Sequence, residues 1–448
     1  MENGPHPAMA NRIFRPNRRE LMAGLGAAMV APAVPSIAAT EPRPGLALQA
    51  KADALALRPG QPDTPIWSLG SSAPNGSLRF KRGDVLDVRL ANDTTAPVAL
   101  NWRGIDGVAA AEPLLAQAAL PPQGTQSLTI PLRHAGTFMC DLRLQADGAA
   151  RPSAARALIV AENEPVAVDR DEVLLFEDWR LRPDGTATAP GTDPSGTTPV
   201  TTVNRQPTLD IPVRPHERLR IRFINGFQRN VIAIKIENHD VQVMALDGQP
   251  SEPFPARNGA LVIAPGGRVD AFIDAAMAPE AVSSILLHDG TEARPIARLV
   301  GSREPPIRAA PLATAPPLPS NGLPERLDLK NGLRVDLPLS GPQAGWVPPS
   351  SFAASAAPAF KTKAGRVVVL ALTNPAGKAT VFHLHGHHFR LLDRLDDGWK
   401  PFWLDTLAVE PGQTQRIAFA ADTPGRWLLE AAAADWAAPR LLRWYAVE

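Results

Sequence analysis

The 448-residue chain is poor in the residues that build disulfides and thiolate metal centres, with one cysteine and seven methionines. The single cysteine, Cys140, excludes an intramolecular disulfide, and the scarcity of histidine, with nine residues, argues against a rich metal store. No charge of one sign dominates, because 46 basic residues face 45 acidic residues. We therefore expect no nucleic-acid partner and no basic membrane-binding surface.

Long apolar runs are also missing after residue 39, so we expect no transmembrane segment in the mature chain. The first 39 residues differ, since Arg18 and Arg19 precede a mildly apolar run that ends in small residues at Ala38 and Ala39. This order is typical of a twin-arginine signal peptide, and less so of a short buried helix with a basic start. We predict a signal peptide over 1–39 and a periplasmic protein exported by the twin-arginine pathway.

Segments with the helical period of 3.6 residues are missing, whereas 48 prolines and 33 glycines favour turns. Strand-like runs recur between these turn signals, and an alternation of period 2 is clear in RLRIRFI (218–224). The sequence therefore predicts an all-β chain of sandwiches or barrels.

Two phrases recur three times each, in the same order. The first is KRGDVLDVRLAND (81–93), RPHERLRIRFING (214–226) and KAGRVVVLALTN (363–374). The second is PPQGTQSLTIPL (121–132), APGGRVDAFIDA (264–275) and EPGQTQRIAFAA (410–421). Such repetition indicates three copies of one β-sandwich. We place these domains at 45–162, 163–301 and 327–448, with a Pro-rich linker over 302–326.

Four of the nine histidines lie in TVFHLHGHHF (380–389). His383 and His385 alternate along a predicted strand, so their imidazoles point to one face. Two imidazoles on one face suit copper or zinc, but they are also compatible with hydrogen-bonded core histidines.

The chain resembles the three-domain multicopper oxidases over nearly all of its predicted mature length. FHLHGHHF, DTLAVEPGQTQRIAFAADTPGRW, VRPHERLRIRFING, MALDGQP, PVALNWRG and AGTFMC carry the resemblance. It implies three consecutive cupredoxin-like Greek-key β-sandwich domains. It also implies a trinuclear copper centre held by eight histidines between the first and third domains, and a blue copper in the third domain held by two His, one Cys and usually a Met.

At the positions that match these ligands, only His383 and His385 keep the expected residue type. The other trinuclear positions hold Asn101, Arg103, Asp141, Arg143, Glu430 and Ala432. The blue-copper positions hold Thr380, Ala431, Trp436 and Leu441. Blue copper needs a thiolate, which Ala431 cannot supply. Cys140 falls where the family usually has an aromatic residue, so we interpret it as a buried apolar residue.

We therefore expect no copper cofactor, no catalytic residues and no oxidase reaction, with His383 and His385 as remnants. Our hypothesis is that Arg103 and Arg143 form a buried network with Asp141 and Glu430, because lone buried charges are costly. His383 and His385 would be hydrogen-bonding partners in this network. The rival hypothesis is a zinc site of His383, His385, Asp141 and Glu430.

Several residues near these positions receive structural interpretations. We expect His387 and His388 to be structural or exposed, His239 to be a structural turn residue, and Asp405 to anchor a loop. A third hypothesis is a copper or zinc carrier that uses His383 and His385 with His387 and His388.

The signal and the lost ligands resemble a copper-free branch of the family, the exported SufI/FtsP-type proteins associated with bacterial cell division. This resemblance implies a non-catalytic periplasmic binding or scaffold protein with a protein partner, serving division or envelope integrity. The alternatives are a copper-dependent oxidoreductase of the multicopper oxidase type and the metal carrier.

Overall fold

The structure, a computed structural model, describes Met1 and residues 43–71, 76–341, 344–393 and 398–448. The segment Arg43–Glu448 forms one compact unit. The predicted signal peptide lies outside the described residues. Within the described part of the chain, no helix is long and apolar enough to cross a membrane.

The first sandwich has two four-stranded sheets, with the strand orders β2-β1-β4-β6 and β3-β8-β7-β5. Its strands are β1 (Gly45–Leu55), β2 (Thr64–Gly70), β3 (Leu78–Lys81), β4 (Val85–Asn92), β5 (Asn101–Arg103), β6 (Thr125–Pro131), β7 (Gly136–Asp141) and β8 (Arg156–Ala161). Short 3₁₀ turns at Ala109–Ala111 and Arg143–Gln145 follow β5 and β7.

The second sandwich packs a seven-stranded sheet, β10-β9-β13-β18-β15-β16 with β11 on β9, against the five-stranded sheet β12-β20-β19-β14-β17. Its strands are β9 (Arg170–Leu181), β10 (Ala187–Thr188), β11 (Thr198–Val203), β12 (Leu209–Val213), β13 (Arg218–Asn225), β14 (Ile232–Ile236), β15 (Gln242–Leu246), β16 (Gln249–Pro255), β17 (Ala260–Ile263), β18 (Arg268–Asp274), β19 (Val282–His288) and β20 (Ala293–Gly301). A short 3₁₀ turn at Arg257–Gly259 precedes β17.

The third sandwich has the sheets β21-β23-β27-β25 and β22-β29-β28-β24-β26. Its strands are β21 (Leu333–Pro338), β22 (Lys361–Thr362), β23 (Arg366–Thr373), β24 (Thr380–Leu384), β25 (Arg390–Leu391), β26 (Thr406–Val409), β27 (Thr414–Ala421), β28 (Gly425–Ala433) and β29 (Arg440–Val447). A short 3₁₀ turn at Pro349–Ser351 lies between β21 and β22. Among the described residues, no strand pairing joins one sandwich to another.

The two repeated phrases form the same pair of strands in each sandwich. The strand of the first phrase pairs antiparallel with that of the second, as β4 with β6, β13 with β18 and β23 with β27. On its other side, the first-phrase strand pairs parallel with the first strand of its own sandwich, as β4 with β1, β13 with β9 and β23 with β21. The internal repetition in the sequence is therefore a repetition of sheet topology, and the all-β prediction is confirmed.

An asparagine at or next to the end of each first phrase closes the same loop in each sandwich. Asn92, Asn225 and Asn374 are fully buried. In each case the side-chain amide donates to the backbone carbonyl that directly precedes the second phrase, over 2.7 or 2.8 Å. Its oxygen accepts the backbone N–H two residues further on. The repeated Asn is thus explained by backbone groups that a buried loop leaves unpaired.

We expect Asn225→Ala to lower the free energy of unfolding by roughly 1–3 kcal/mol, because it leaves buried backbone groups without partners. The lost bonds are those to the carbonyls of Asn230, at 3.1 Å, and Ile263, at 2.7 Å, and from the N–H of Phe227, at 2.9 Å. Denaturant unfolding measures the change. The control is Asn331→Ala, which removes an exposed turn contact to Asp328. Equal effects of the two substitutions would contradict the interpretation.

Each sandwich has its own apolar core, and smaller apolar clusters join the sandwiches. Leu144 of the first sandwich packs with Leu428 and Trp444 of the third. Met139 of the first packs with Ile224 of the second. These contacts bring the ends of β5 and β7 against β24 and β28, where the candidate site lies.

The Pro-rich segment 302–326 contains no strand, and it is held by side chains of the first two sandwiches. Arg82 donates to the carbonyl of Ser320 over 2.9 Å. Asn321 is buried and exchanges two hydrogen bonds with the backbone of Ala135. Leu318 packs against Met244.

Candidate functional site

The two alternating histidines lie together at the end of β24. His383 and His385 are both buried, and their ring centroids are 4.8 Å apart. In the sheet, His383 lies opposite Glu430 of β28 and Thr406 of β26. The alternation along the strand therefore places both imidazoles beside one acidic residue of the neighbouring strand.

Glu430 is the acceptor at the centre of a buried network. The Arg103 guanidinium donates to its Oε2 over 3.0 Å, and the Asn101 amide donates to its Oε1 over 3.2 Å. Arg103 also contacts Asp141 at 3.4 Å, across the β5–β7 pair. This network joins the first sandwich to the third at positions that match trinuclear copper ligands. Ala432, on the same strand as Glu430, contributes only backbone pairing, with Val381 and Arg440.

Two members of this network have no counterpart in the sequence hypothesis. Arg440, at the start of β29, donates to Glu430 Oε2. In the β28–β29 pair, Arg440 lies opposite Ala432. Glu112 lies after a short 3₁₀ turn of the first sandwich, and its Oε1 is 2.9 Å from His385 Nδ1. Neither residue lies in a motif, so only the tertiary structure reveals them.

His385 is bound by a carboxylate at each ring nitrogen. Its Nδ1 contacts Glu112 at 2.9 Å and its Nε2 contacts Glu430 at 2.7 Å. Burial opposes a positive charge on the ring, but Glu112 and Glu430 outweigh it and raise the pKa of His385 to about 9. Ionised carboxylates only accept hydrogen bonds, so both ring nitrogens donate and His385 is an imidazolium cation.

His383 differs in charge from its neighbour. Burial and the nearby Arg103 guanidinium lower the pKa of His383 to about 4, so this ring is neutral. Its Nδ1 is 2.9 Å from the hydroxyl of Thr406 and 3.5 Å from Asp405. Burial opposes ionisation of Glu430, but Arg103 and Arg440 hold the pKa of that carboxyl well below its usual range. Glu430 is thus the anion shared by three cations, Arg103, Arg440 and His385. Asp141 and Glu112 pair with Arg103 and His385 at the edges of the cluster.

Arg143 does not join this cluster, which corrects the sequence hypothesis. Its guanidinium pairs with Glu177 at 2.5 Å and donates to the carbonyls of Gly226 and Ser153. Only its backbone N–H contacts Asp141, at 2.9 Å. Arg143 therefore joins the first sandwich to the second, because the short turn after β7 directs its side chain towards β9.

The positions that match the blue-copper ligands hold packing residues. Thr380 donates to Asn374 over 3.2 Å, and Ala431 lies opposite Leu441 in the β28–β29 pair. Trp436 is buried and donates to the carbonyl of Ala189 over 3.1 Å. Cys140 lies in the core of the first sandwich, where burial raises the pKa of its thiol to about 12. No thiolate is available in this region.

The remaining histidines of the motif are buried. His387 contacts the Tyr445 hydroxyl at 2.7 Å, which fits a structural role. His388 contacts Asp106 and the carbonyl of Asp247. His239 lies in a turn and contacts the carbonyl of Glu237 at 2.9 Å.

Asp405 does more than anchor a loop. It receives a bidentate pair of hydrogen bonds from Arg268 of the second sandwich, at 2.9 and 2.6 Å. This ion pair joins the second and third sandwiches, and both side chains are at most 1% exposed.

The family's trinuclear centre does not fit these residues. Donor atoms of His383, His385 and Glu430 lie within 4.8 Å of one another, so distance alone permits one ion. However, both nitrogens of His385 carry hydrogen, and Arg103 and Arg440 occupy the Glu430 carboxylate. A metal needs free lone pairs, and two guanidinium cations oppose another cation in the same space. The same argument weighs against the zinc site of His383, His385, Asp141 and Glu430.

The arrangement of three consecutive cupredoxin-type sandwiches, with a cluster between the first and the third, defines a class of protein. Two models, both described as Multicopper oxidase, match residues 169–286 and 336–448, slightly more than half of the chain. The chain belongs to the multicopper oxidase superfamily.

Individual relatives agree with this membership. Multicopper oxidase MmcO of Mycobacterium tuberculosis is 25% identical over 434 residues, which cover 83% of this chain and 81% of that protein. A multi-copper oxidase from Pseudomonas thermotolerans superimposes with a TM-score of 0.77 at 24% identity, covering 91% of this chain and all of that chain. Lac15 from a marine microbial metagenome gives a TM-score of 0.74 at 26% identity, again over 91% of this chain.

Proposed function

We propose that this protein is a non-catalytic, copper-free member of the superfamily that acts as a binding or scaffold protein. The observation that carries the proposal is the ion pair of Arg103 with Glu430, at 3.0 Å, among the former trinuclear ligand positions. A guanidinium at this point offers donors where a copper centre needs lone pairs. The side chains that join the first and third sandwiches then serve stability instead of electron transfer.

The place of action in this proposal is the periplasm, reached through the predicted twin-arginine signal, and the target is a protein partner of the division machinery or the envelope. The support is the likeness in signal and lost ligands to the SufI/FtsP-type proteins. Deletion of the gene is expected to cause filamentation or envelope sensitivity under stress. Normal division and normal stress survival of the deletion strain would count against this cellular role.

The competing function is a copper-dependent oxidoreductase, and the names of the relatives favour it at the level of the family. The ligand set speaks against it, because oxygen reduction needs several coppers held close together. The metal carrier that uses His383 and His385 is disfavoured by the protons on His385.

We expect the protein, purified without chelator, loaded with Cu²⁺, freed of unbound copper and kept oxidised, to show no copper–thiolate absorption. We also expect no oxygen uptake when a reductant is added. The paired variants His383→Gln and His385→Gln test the former ligand positions. They should leave the copper stoichiometry of the loaded protein unchanged. One equivalent of copper that is lost in either variant, or any reductant-dependent oxygen uptake, would refute the proposal.

A further inference from the structure

A second group of metal-ligand side chains lies away from the former copper positions. Asp106 follows β5, His134 lies between β6 and β7, and His388 lies between β24 and β25. One donor atom from each residue lies within 4.8 Å of the other two. The group thus joins the first and third sandwiches at a place to which the family resemblance assigns no copper ligand.

The hydrogen bonds of His388 orient its ring as a metal ligand requires. Its Nε2 is 2.9 Å from the carbonyl oxygen of Asp247, so this nitrogen donates, while its Nδ1 faces the carboxylate of Asp106. A backbone carbonyl that fixes the second ring nitrogen is the usual support of a metal-bound histidine. Burial opposes a charge on this ring, but Asp106 outweighs it and raises the pKa of His388 to about 9. A metal ion must therefore displace the Nδ1 proton, and the freed lone pair then points at the carboxylate that would share the ion.

The Nδ1 of His134 lies near the same carboxylate and faces the amide of Gln249. Its Nδ1 is 3.7 Å from Asp106 Oδ2 and 3.1 Å from the amide nitrogen of Gln249. Asn321 donates to the other amide atom of Gln249, its oxygen, over 2.9 Å, which fixes the amide orientation. The amide nitrogen therefore donates to His134 Nδ1, which accepts, and the ion would replace this one contact.

The surroundings leave an open coordination position. A cavity of about 100 Å³ is lined by Asp106, His134 and His388, and also by Arg133, Asp422 and Trp403. A water molecule occupies roughly 30 Å³ of liquid, so the cavity holds water or a small ligand beside the three donors. Three protein ligands and one open position are the pattern of exchangeable or reactive zinc sites, whereas closed structural sites use four protein ligands.

Asp106 also differs from Glu430, the acidic residue at the former copper positions, in its ion-pair partners. Within the described part of the chain, the ion pairs of Asp106 are those with His134 and His388. Glu430, in contrast, is paired with Arg103 and Arg440. The carboxylate of Asp106 is therefore available to a cation once His388 loses its extra proton.

We propose that Asp106, His134 and His388 form a binding site for one divalent transition-metal ion of the zinc type, with a fourth position open to the adjacent cavity. Two imidazoles and one carboxylate are a ligand set that zinc and cobalt accept. This site goes beyond the proposed scaffold function and is independent of it, because it uses none of the residues around Glu430.

The test is titration of the chelator-treated full-length protein with Zn²⁺, and separately with Co²⁺ as a coloured probe. We expect one equivalent to bind, with visible Co²⁺ absorption of a four- or five-coordinate site. His134→Gln and His388→Gln should each weaken binding at least about 10-fold, the lower range for disturbed metal sites. Binding should also weaken as the pH falls, since protons compete for both imidazoles.

The matched control is His383→Gln, which alters a buried histidine of the former copper positions and should leave zinc binding unchanged. His134 has a side chain that is 15% exposed, so its substitution keeps the test valid if His388→Gln unfolds the protein. Absence of stoichiometric Zn²⁺ binding would overturn the proposal. So would binding that His383→Gln abolishes and His134→Gln leaves intact.

Discussion

Arg268→Ala is expected to be among the most destabilising single substitutions in the protein, with a loss of roughly 3–5 kcal/mol in the free energy of unfolding. Arg268 is fully buried and donates to Asp405 of the third sandwich, at 2.9 and 2.6 Å. It also donates to the carbonyls of Thr137, Gly266 and Asp247. One side chain therefore contacts all three sandwiches.

The loss of stability is large because the acidic side chains of Asp247 and Asp405 remain buried without the Arg268 cation. Burial and the neighbouring Asp405 already raise the pKa of Asp247 to about 6, and Arg268 is the cation that opposes this rise. Without it, two buried carboxyls face each other with little compensation. Arg268→Lys is expected to recover only part of the loss, since an ammonium group cannot reproduce the planar set of donors.

The control for Arg268 is Arg298→Ala. Arg298 forms a bidentate pair with Asp210 at 2.7 and 2.6 Å, but the two side chains are 51% and 50% exposed. We expect this substitution to cost at most about 1 kcal/mol, as is usual for exposed ion pairs. Denaturant unfolding of Arg268→Ala and Arg298→Ala compares the loss of a bidentate Arg–Asp pair at a buried position with the same loss at an exposed position. A similar loss in both would show that burial of the Arg268 pair is not the cause.

Glu430→Ala is the second substitution with a large expected effect, again roughly 3–5 kcal/mol. It removes the acceptor shared by Arg103, Arg440, His385 and Asn101. Three buried cations would then share the two remaining carboxylates, Asp141 and Glu112. The thermal midpoint of unfolding should fall clearly. Glu448→Ala is the control, since Glu448 pairs with Lys361 at an exposed position where both side chains are more than half exposed.

A second measurement separates this electrostatic explanation from a simple packing defect. In Glu430→Gln the side-chain volume is kept but the charge is lost, so the pKa of His385 should fall below its value of about 9. The sign follows because a carboxylate beside the ring favours its protonated form. NMR titration of His385 measures the change. An unchanged pKa would mean that Glu112 alone holds the proton, and an unchanged thermal midpoint would refute the network.

The sequence predicted the fold well where the signal was local and repeated. The two phrases recur three times in the same order, so they indicated three copies of one sandwich, and in each copy the structure pairs the two phrase strands in the same way. The buried Asn at the end of the first phrase recurs because the same backbone groups need the same partner in each sandwich. Alignment to ligand positions likewise identified Arg103, Asp141 and Glu430 as neighbours.

Side-chain partners were harder to predict because they depend on the packing of distant segments. Arg103 and Arg143 both stand at positions that match trinuclear copper ligands of the family. Arg143 nevertheless pairs with Glu177, whereas Arg103 pairs with Glu430. Arg440 and Glu112 lie outside every motif, and Arg268 lies in a strand whose alternation is indistinguishable from that of other buried strands. Only the contact between sandwiches determines these pairs.

Three of the buried ion pairs between sandwiches indicate how the molecule can come apart. Arg143 with Glu177 joins the first and second sandwiches, Arg268 with Asp405 joins the second and third, and Arg103 with Glu430 joins the third and first. The sandwiches therefore close a ring, whereas domains in a linear chain touch only their sequence neighbours. To release any one sandwich, two interfaces must break at the same time, so we expect the three sandwiches to unfold together in one cooperative event.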